Sequence, residues 1–368
     1  MHKCERVRRA GLMRVADLYA GLGGFSAGAV AAGASVELVI DNDHVPLKLL
    51  GANIPNAKVK LATLGPHGSS INFLPEPAPD LHLHASSPCT ELSSARMNAT
   101  TADVESGLGM LKWCLDLVLT RGDYSWSLEN VSTIQTRALI QEYAEKHPRR
   151  VSYATLDAVD FGAAQTRVRL IAGPPSLINA LKEVPAARRV SVREAFANRG
   201  LELPASHFKN QTRARSGGPS TRSCEDQSFT VCASHALTWC NRDGSSVRVM
   251  TSAESAILMG FPSDWRLPHG SRVSQKAVGN ALCVEMSKAI MVAAMKVKQD
   301  STPGTSTQLA LITNKRSNED IGTYREREEH SGSGGDDLRR ILKRLKRMER
   351  ALLASPEPLV EGAPDGEA

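Results

Sequence analysis

The run Val15-Ala16-Asp17-Leu18-Tyr19-Ala20 is short and mostly apolar, and it breaks into Gly21-Leu22-Gly23-Gly24 before an Ala/Gly-rich stretch that reaches Gly33. This pattern predicts a buried strand, a tight glycine turn and a helix, the opening unit of a nucleotide-binding α/β fold. A second apolar block, Val36 to Ile40, predicts the next strand and ends in Asp41-Asn42-Asp43. His82 and His84 alternate on a further predicted strand, and Trp126-Ser127-Leu128 is another apolar run, closed by Glu129. Val168 begins a strand through Leu170-Ile171-Ala172-Gly173, after which Pro174-Pro175 is read as the exit from the sheet. Residues 174 to about 275 read as loop-rich, and Gln275 to Val297 as a helix.

Candidate chemistry sits where these blocks end. Cys89 lies in Ser86-Ser87-Pro88-Cys89, forty residues before Glu129. A free thiol is only a few per cent ionised near neutral pH, so a nucleophilic cysteine needs help from its surroundings. The Ser/Thr/Glu-rich stretch after Cys89 is read as the start of a helix whose N-terminus favours the thiolate. Asp41 stands twenty residues beyond Gly21, the place where dinucleotide folds put a ribose-binding acid. The glycine pattern has Ser26 where a third glycine would complete a dinucleotide fingerprint, which suits a nucleoside better than a pyrophosphate. Arg167 and Arg169 in Gln165-Thr166-Arg167-Val168-Arg169 would share one strand face, able to grip a phosphate and a carbonyl oxygen together or to form a solvated edge.

In their order along the chain, Asp17 to Phe25, Pro88-Cys89, Glu129-Asn130-Val131, Gln165 to Arg169 and Gly279-Asn280-Ala281-Leu282 resemble the motifs of the DNA (cytosine-5)-methyltransferases, over about residues 14 to 298. The resemblance implies an α/β fold: a doubly wound, Rossmann-like methyltransferase sheet that binds S-adenosylmethionine, with a small, loop-rich target-recognition region. It implies that Cys89 attacks carbon 6 of a flipped-out cytosine and that Glu129 holds or protonates ring nitrogen 3. Arg167 and Arg169 would lie near the cytosine carbonyl oxygen, and Pro88, Asn130, Val131 and Gln165 would complete the substrate pocket. On the cofactor side, the resemblance sets Tyr19 against the adenine, beside Asp17 and Phe25. Gly21, Leu22, Gly23 and Gly24 would wrap the methionine end, Asp41 would hold the ribose hydroxyls, and Asn280 would approach the carboxylate. An acid beside nitrogen 3 is useful only while it carries a proton, a state that burial favours. The sequence departs from the family at Thr90, where an amide is usual, and in Lys60 to Gly65, which contains no acid to meet the adenine amino group. Only about fifty residues separate Gly173 from Gln227, so target recognition is expected to be short or loose.

Composition modifies this picture in a few places. A chain of 368 residues with 41% hydrophobic content can build a sizeable core, and a formal charge of +6 with pI near 9.0 favours a polyanionic partner, here double-stranded DNA. Seven cysteines, an odd number without regular pairing, indicate a reducing compartment, nuclear or nucleoid/cytoplasmic. Cys224, Cys232 and Cys240 recur every eight residues without a Cys-x-x-Cys pair, so no metal is expected. No run of eighteen apolar residues is present, and no membrane association is expected. Lys3, Arg6, Arg8, Arg9 and Arg14 read either as a solvated arm touching phosphate or as part of an organelle-targeting segment.

The predicted organisation is a catalytic domain over 14–173, a target-recognition region over 174–275 carrying Arg213, Arg215 and Arg222 toward DNA, and a returning helix over 276–298. A flexible linker over 299–335 and a basic amphipathic helix over 336–354 make up the C-terminal tail, whose apolar stripe would serve weak self-association, DNA attachment, or neither. Two other functions compete with a DNA enzyme: a tRNA cytosine-5 methyltransferase and a catalytically silent DNA-binding module. The tRNA-modifying relatives carry Cys-Phe-Thr in the recognition region, and none occurs here.

Overall fold

A computed structural model describes residues 12–68, 71–89, 92, 100–213 and 219–300. Seven strands form one sheet: β1 (Arg14–Leu18), β2 (Ser35–Asp41), β3 (Lys58–Leu61), β4 (Leu81–Ser86), β5 (Ser125–Val131), β6 (Ser152–Asp157) and β7 (Val168–Gly173). Their order across the sheet is β3-β2-β1-β4-β5-β7-β6, and only β7 runs antiparallel to its neighbours. The order reverses direction between β1 and β4, and a crevice for ligands opens at such a point beyond the carboxyl ends of the strands. This is the expected doubly wound sheet.

The helices cover both faces because the central strands are apolar on both sides. On one face lie α1 (Gly24–Ala31), α2 (His44–Asn53), α5 (Pro175–Lys182) and α9 (Val284–Asp300), packed on Val15, Val36, Val39 and Ile171. On the other lie α3 (Thr101–Arg121) and α4 (Ile134–Lys146), covering Ala16, Leu18, Leu83 and Leu128. Thr100 caps α3 in a reciprocal box with Asp103. The helix expected directly after Cys89 would lie in the segment before α3, which itself begins at Thr101. Residues 90, 91 and 93–99, Thr90 included, lie outside the described residues.

Pro174-Pro175 does not lead the chain away from the sheet. Pro175 occupies the first turn of α5, where its missing N–H costs nothing, and Leu177, Ile178 and Leu181 join the core against α9. The region beyond is more regular than the loop-rich segment expected. It holds α6 (Val192–Ala197), α7 (Ser252–Leu258) and an antiparallel sheet ordered β11-β10-β8-β9, formed by β8 (His207–Arg213), β9 (Pro219–Ser223), β10 (Thr238–Cys240) and β11 (Ser246–Val249). Phe196, Phe208 and Trp239 form its core in edge-to-face contact. Arg222 stacks on the Phe229 ring at 4.1 Å and donates to the Gln227 and Ser228 carbonyls, so it is tied to its own domain rather than held out toward DNA. The Arg213 side chain and Arg215 lie outside the described residues.

The returning segment is two helices, α8 (Ser271–Asn280) and α9, separated at Ala281 to Cys283. Residues 271–300 are long and apolar enough to pass for a membrane span, but they are mostly buried inside this fold. Arg14 departs from the expected basic arm: it grips Asp80 through Nε and Nη2 at 2.7 and 2.9 Å and Glu37 at 3.1 Å, stapling the lower end of the sheet. Lys3, Arg6, Arg8, Arg9, the linker and the basic C-terminal helix lie outside the described residues.

Candidate functional site

The glycine turn is built by backbone that few residues tolerate. Tyr19, Gly21 and Gly23 have φ of 57°, 52° and 87°, in the left-handed region, and they reverse the chain between β1 and α1. The hydroxyl of Ser26 donates to Asp17 Oδ2 at 2.6 Å, so the serine in the third glycine slot braces the turn from below. Burial pushes the Asp17 carboxyl up to about 7, against the pull of that hydrogen bond. Gly24 is required by contact: a Cβ there would stand 2.1 Å from the Leu282 carbonyl oxygen. This contact brings Gly279-Asn280-Ala281-Leu282 back to the turn, as the sequence predicted. Asn280 ends α8 with an exposed side chain.

Asp41 ends β2 beside the same turn. Its Oδ2 accepts from the Gly21 N–H and its Oδ1 from the Asp43 N–H, both at 2.8 Å. Each oxygen retains a second lone pair, so the carboxylate can orient the turn and still accept from a ribose hydroxyl. Burial raises its pKa, opposed by these backbone donors. Tyr19 meets Cys114 of α3, whose thiol lies 3.7 Å from the Tyr19 hydroxyl. Phe25 faces inward instead of toward a ligand and stacks on His84, with ring centroids 3.5 Å apart. The left-handed glycines, the free lone pairs of Asp41 and the exposed Asn280 fit a nucleoside with a charged amino-acid end. Leu22 is buried, and its carbonyl accepts from Trp265 Nε1 at 3.1 Å.

The second half of the site lies across β4 and β5. Ser86 pairs in register with Glu129, so the cysteine loop leaves β4 directly beside the acid. Asn130 fixes that loop: its Nδ2 donates to Ser87 Oγ at 3.0 Å and to the Ser87 carbonyl at 3.3 Å, and its Oδ1 accepts from the Val131 N–H. Ser87 was missed by sequence reasoning, although a buried amide following the acid was a signal that a second loop must satisfy it. Arg169, opposite Val131 on β7, reaches diagonally to Glu129, with Nε 2.9 Å from Oε1. Cys89 is partly buried and Pro88 exposed. Burial raises the Cys89 pKa, Glu129 raises it further, and Arg169 and Arg167 oppose them. The thiol is therefore held toward its protonated form, and the helix terminus expected to activate it lies outside the described residues.

Two of the expected site residues act inside the scaffold. Arg167 is buried, donating from Nη1 to the Val231 carbonyl at 2.9 Å and from Nη2 to the carbonyls of Gly279 and Ala281 at 2.9 and 2.8 Å. Its Nε has no partner among the described residues. Burial, then Arg169, pulls the guanidinium down to about 10, still charged at neutral pH. Arg167 therefore does not share a face with Arg169 as a grip on substrate; it locks the target-recognition segment and the Asn280 loop to the sheet. Gln165 is likewise consumed: Nε2 donates to the Leu258 carbonyl at 2.8 Å, and Oε1 accepts from the Val231 N–H at 3.0 Å. It braces the pocket instead of lining it.

Cys224 and Cys240 are buried free thiols, and no cluster of metal-ligating side chains occurs among the described residues.

No curated protein matches the sequence. Among solved structures, a protein of an E. coli prophage assigned as a DNA modification methyltransferase superposes with a TM-score of 0.54 at 16% identity, covering 78% of this chain and 99% of its own. The Entamoeba histolytica methyltransferase EhMeth gives 0.53 at 12% identity, covering 77% and 98%. A Spodoptera frugiperda DNMT2 variant aligns more loosely, at 0.47 and 13% identity over 78% and 99%. At these identities the superpositions speak for the fold. The sequence itself matches the C-5 cytosine-specific DNA methylase family over residues 13–174 and 178–296, which takes in the glycine turn, Cys89, Glu129, Arg169 and Asn280, and the chain belongs to that family.

Proposed function

We propose that this chain methylates carbon 5 of cytosine in double-stranded DNA through a transient bond between Cys89 Sγ and carbon 6. The observation that carries the proposal is the pairing of Ser86 with Glu129, tightened by Asn130 on Ser87, which brings the loop that leads to Cys89 beside the acid. C-5 cytosine methyltransferases use S-adenosylmethionine, which supplies an electrophilic methyl group on a sulfonium when bound. Asp41, the glycine turn and Asn280 are the residues that would hold it.

Cytosine carbon 5 is a poor nucleophile until sulfur adds to carbon 6 and nitrogen 3 is protonated. A stacked, paired cytosine has to leave the duplex first, at a cost of a few kcal/mol. Glu129, oriented by Arg169, then meets nitrogen 3, and the Cys89 proton passes by way of the Glu129 carboxylate to nitrogen 3 as the S–C6 bond forms. After methyl transfer, the carbon 5 proton is released to solvent as its C–H electron pair becomes the C5–C6 double bond, the C6–S pair leaves on Cys89, and the nitrogen 3 proton returns through Glu129 to that thiolate. The raised pKa of the thiol suits this order: the nucleophile is protected while the pocket is empty and becomes reactive with a base in place.

The test is transfer of a labelled methyl group from S-adenosylmethionine to duplex DNA, with tRNA assayed in parallel. Labelling of DNA by the wild-type chain and none by Cys89→Ser is expected. Labelling by Cys89→Ser overturns the covalent route, labelling of tRNA alone overturns the DNA substrate, and cofactor binding without turnover on either returns the chain to a silent module.

A further inference from the structure

The two histidines of β4 have no part in the chemistry above. His82 and His84 are fully buried in the centre of the sheet, where parallel strands normally carry aliphatic side chains. They belong to an unbroken file of side chains on one face of the β4/β5 pair. Ser125 Oγ lies 2.7 Å from His82 Nδ1, and His82 Nε2 lies 2.8 Å from Ser127 Oγ. Ser127 Oγ in turn lies 2.7 Å from His84 Nδ1, and His84 Nε2 lies 2.9 Å from Ser86 Oγ.

The register explains the file. His82 pairs with Ser125, His84 with Ser127 and Ser86 with Glu129, so alternate residues on each strand bring six polar side chains to the same face. One end is Ser86, next to Glu129 and three residues before Cys89. The other is half-buried Ser125, following the exposed Tyr124 at the opposite end of β5. Phe25 stacks on both imidazoles and closes the file from the side.

Each ring bonds through both nitrogens, and each bond is to a hydroxyl that can donate or accept. Burial keeps both imidazoles neutral, with His82 pushed down to about 3, and a neutral imidazole has one N–H and one lone pair. All four hydrogen bonds can then point the same way, from Ser86 to Ser125 or the reverse, and a change of tautomer at both rings converts one polarity into the other.

We infer that the file Ser86–His84–Ser127–His82–Ser125 is a proton relay connecting the Glu129 end of the pocket with solvent behind the sheet. The inference rests on the proposed methyl transfer, which leaves one proton per turnover when carbon 5 exchanges hydrogen for methyl. Glu129 has room for the proton that returns from nitrogen 3, and DNA seated on the pocket covers the front. The carbon 5 proton, taken up at Ser86 Oγ, is matched by one released at Ser125 Oγ to bulk water. Both histidines change tautomer, no charge remains in the core, and rotation of the hydroxyls and exchange with water reset the file. These are positioning and relay residues; none touches the cytosine.

The test is single-turnover methyl transfer to duplex DNA in mixtures of H2O and D2O. The wild-type chain is expected to show a curved dependence on deuterium fraction, from several protons moving together. Ser127→Ala and Ser125→Ala are expected to bind DNA and cofactor normally, to slow transfer by at least about tenfold, and to lose the curvature. Ser125→Thr, which keeps the hydroxyl at the half-buried end, is expected to restore both. Wild-type rate and curvature in both alanine variants overturn the relay, as does a linear dependence in the wild type or failure of Ser125→Thr to recover. If Ser127→Ala does not fold by circular dichroism, the Ser125 pair decides alone. A wild-type chain that transfers no methyl group to DNA overturns the functional reading instead, and the relay with it.

Discussion

Single side chains here do unlike work despite adjacent positions. Glu129 and Asn130 are neighbours on β5 pointing to opposite faces: one meets Arg169, the other holds the cysteine loop through Ser87. Glu129→Gln is expected to lower the rate of methyl transfer by about 10²–10⁴-fold, the usual worth of a positioned acid, with cofactor affinity unchanged in a direct binding measurement. Arg167 and Arg169 divide in the same manner. Replacing Arg167 with Met strands three buried carbonyls, each costing about 1–3 kcal/mol unpaired, so unfolding in urea is expected to move to much lower denaturant. Arg169→Met leaves no comparable set of acceptors and is expected to affect turnover far more than the unfolding midpoint. Sequence alone pointed to both arginines as functional; which one is structural depended on carbonyls more than sixty residues away.

Among elements, the contact between α1 and the break before α9 and the β4/β5 pair determine most of the site. Gly24→Ala puts a Cβ against backbone atoms of Leu282, which cannot rotate away. Weakened cofactor binding is expected by calorimetry, with a loss of stability of about 1–3 kcal/mol. The β4/β5 pair governs acid stability. His82 and His84 bind protons more weakly folded than unfolded, so the stability they confer is complete above the unfolded value of 6.5 and is lost as pH falls toward about 3. Asp17 has the opposite sign: its carboxyl, raised from 3.8 to about 7, favours the folded state more as pH falls through that interval. Asp41, also raised by burial, acts in the same sense as Asp17, and Asp80, held low by its hydrogen bonds to Arg14, in the sense of the histidines; the contribution of the two imidazoles is expected as a fall in melting temperature below pH 6. His82→Asn is expected to flatten that fall. The glycine turn and the strands were legible because their residues are consecutive. The hydrogen-bonded file was not, since alternation of His82 and His84 says nothing of which strand lies beside them.

For the molecule as a whole, a +6 formal charge is modest, and several of its cations are spent internally: Arg14 on Asp80, Arg167 on carbonyls and Arg222 on Phe229. Affinity for duplex DNA is expected to fall with salt all the same, by about tenfold or more between 50 and 200 mM, because bound phosphates release counterions. Filter binding at several salt concentrations checks this. A flat response would locate the affinity in contacts other than phosphate.

The sequence by itself determined the family: a glycine turn, a cysteine, an acid and an arginine in family order are local, consecutive features that side-chain chemistry makes readable. The Pro174-Pro175 pair misled because a proline can start a helix as well as end a strand. Only the tertiary structure decided that Arg167 and Gln165 are braces, that Ser26 and Ser87 hold the two turns, and that burial raises the Cys89 pKa. The physical reason is common to all of these. Hydrogen-bond partners and desolvation are set by chain segments brought together from far apart, and strand order across a sheet cannot be read from strand order along the chain.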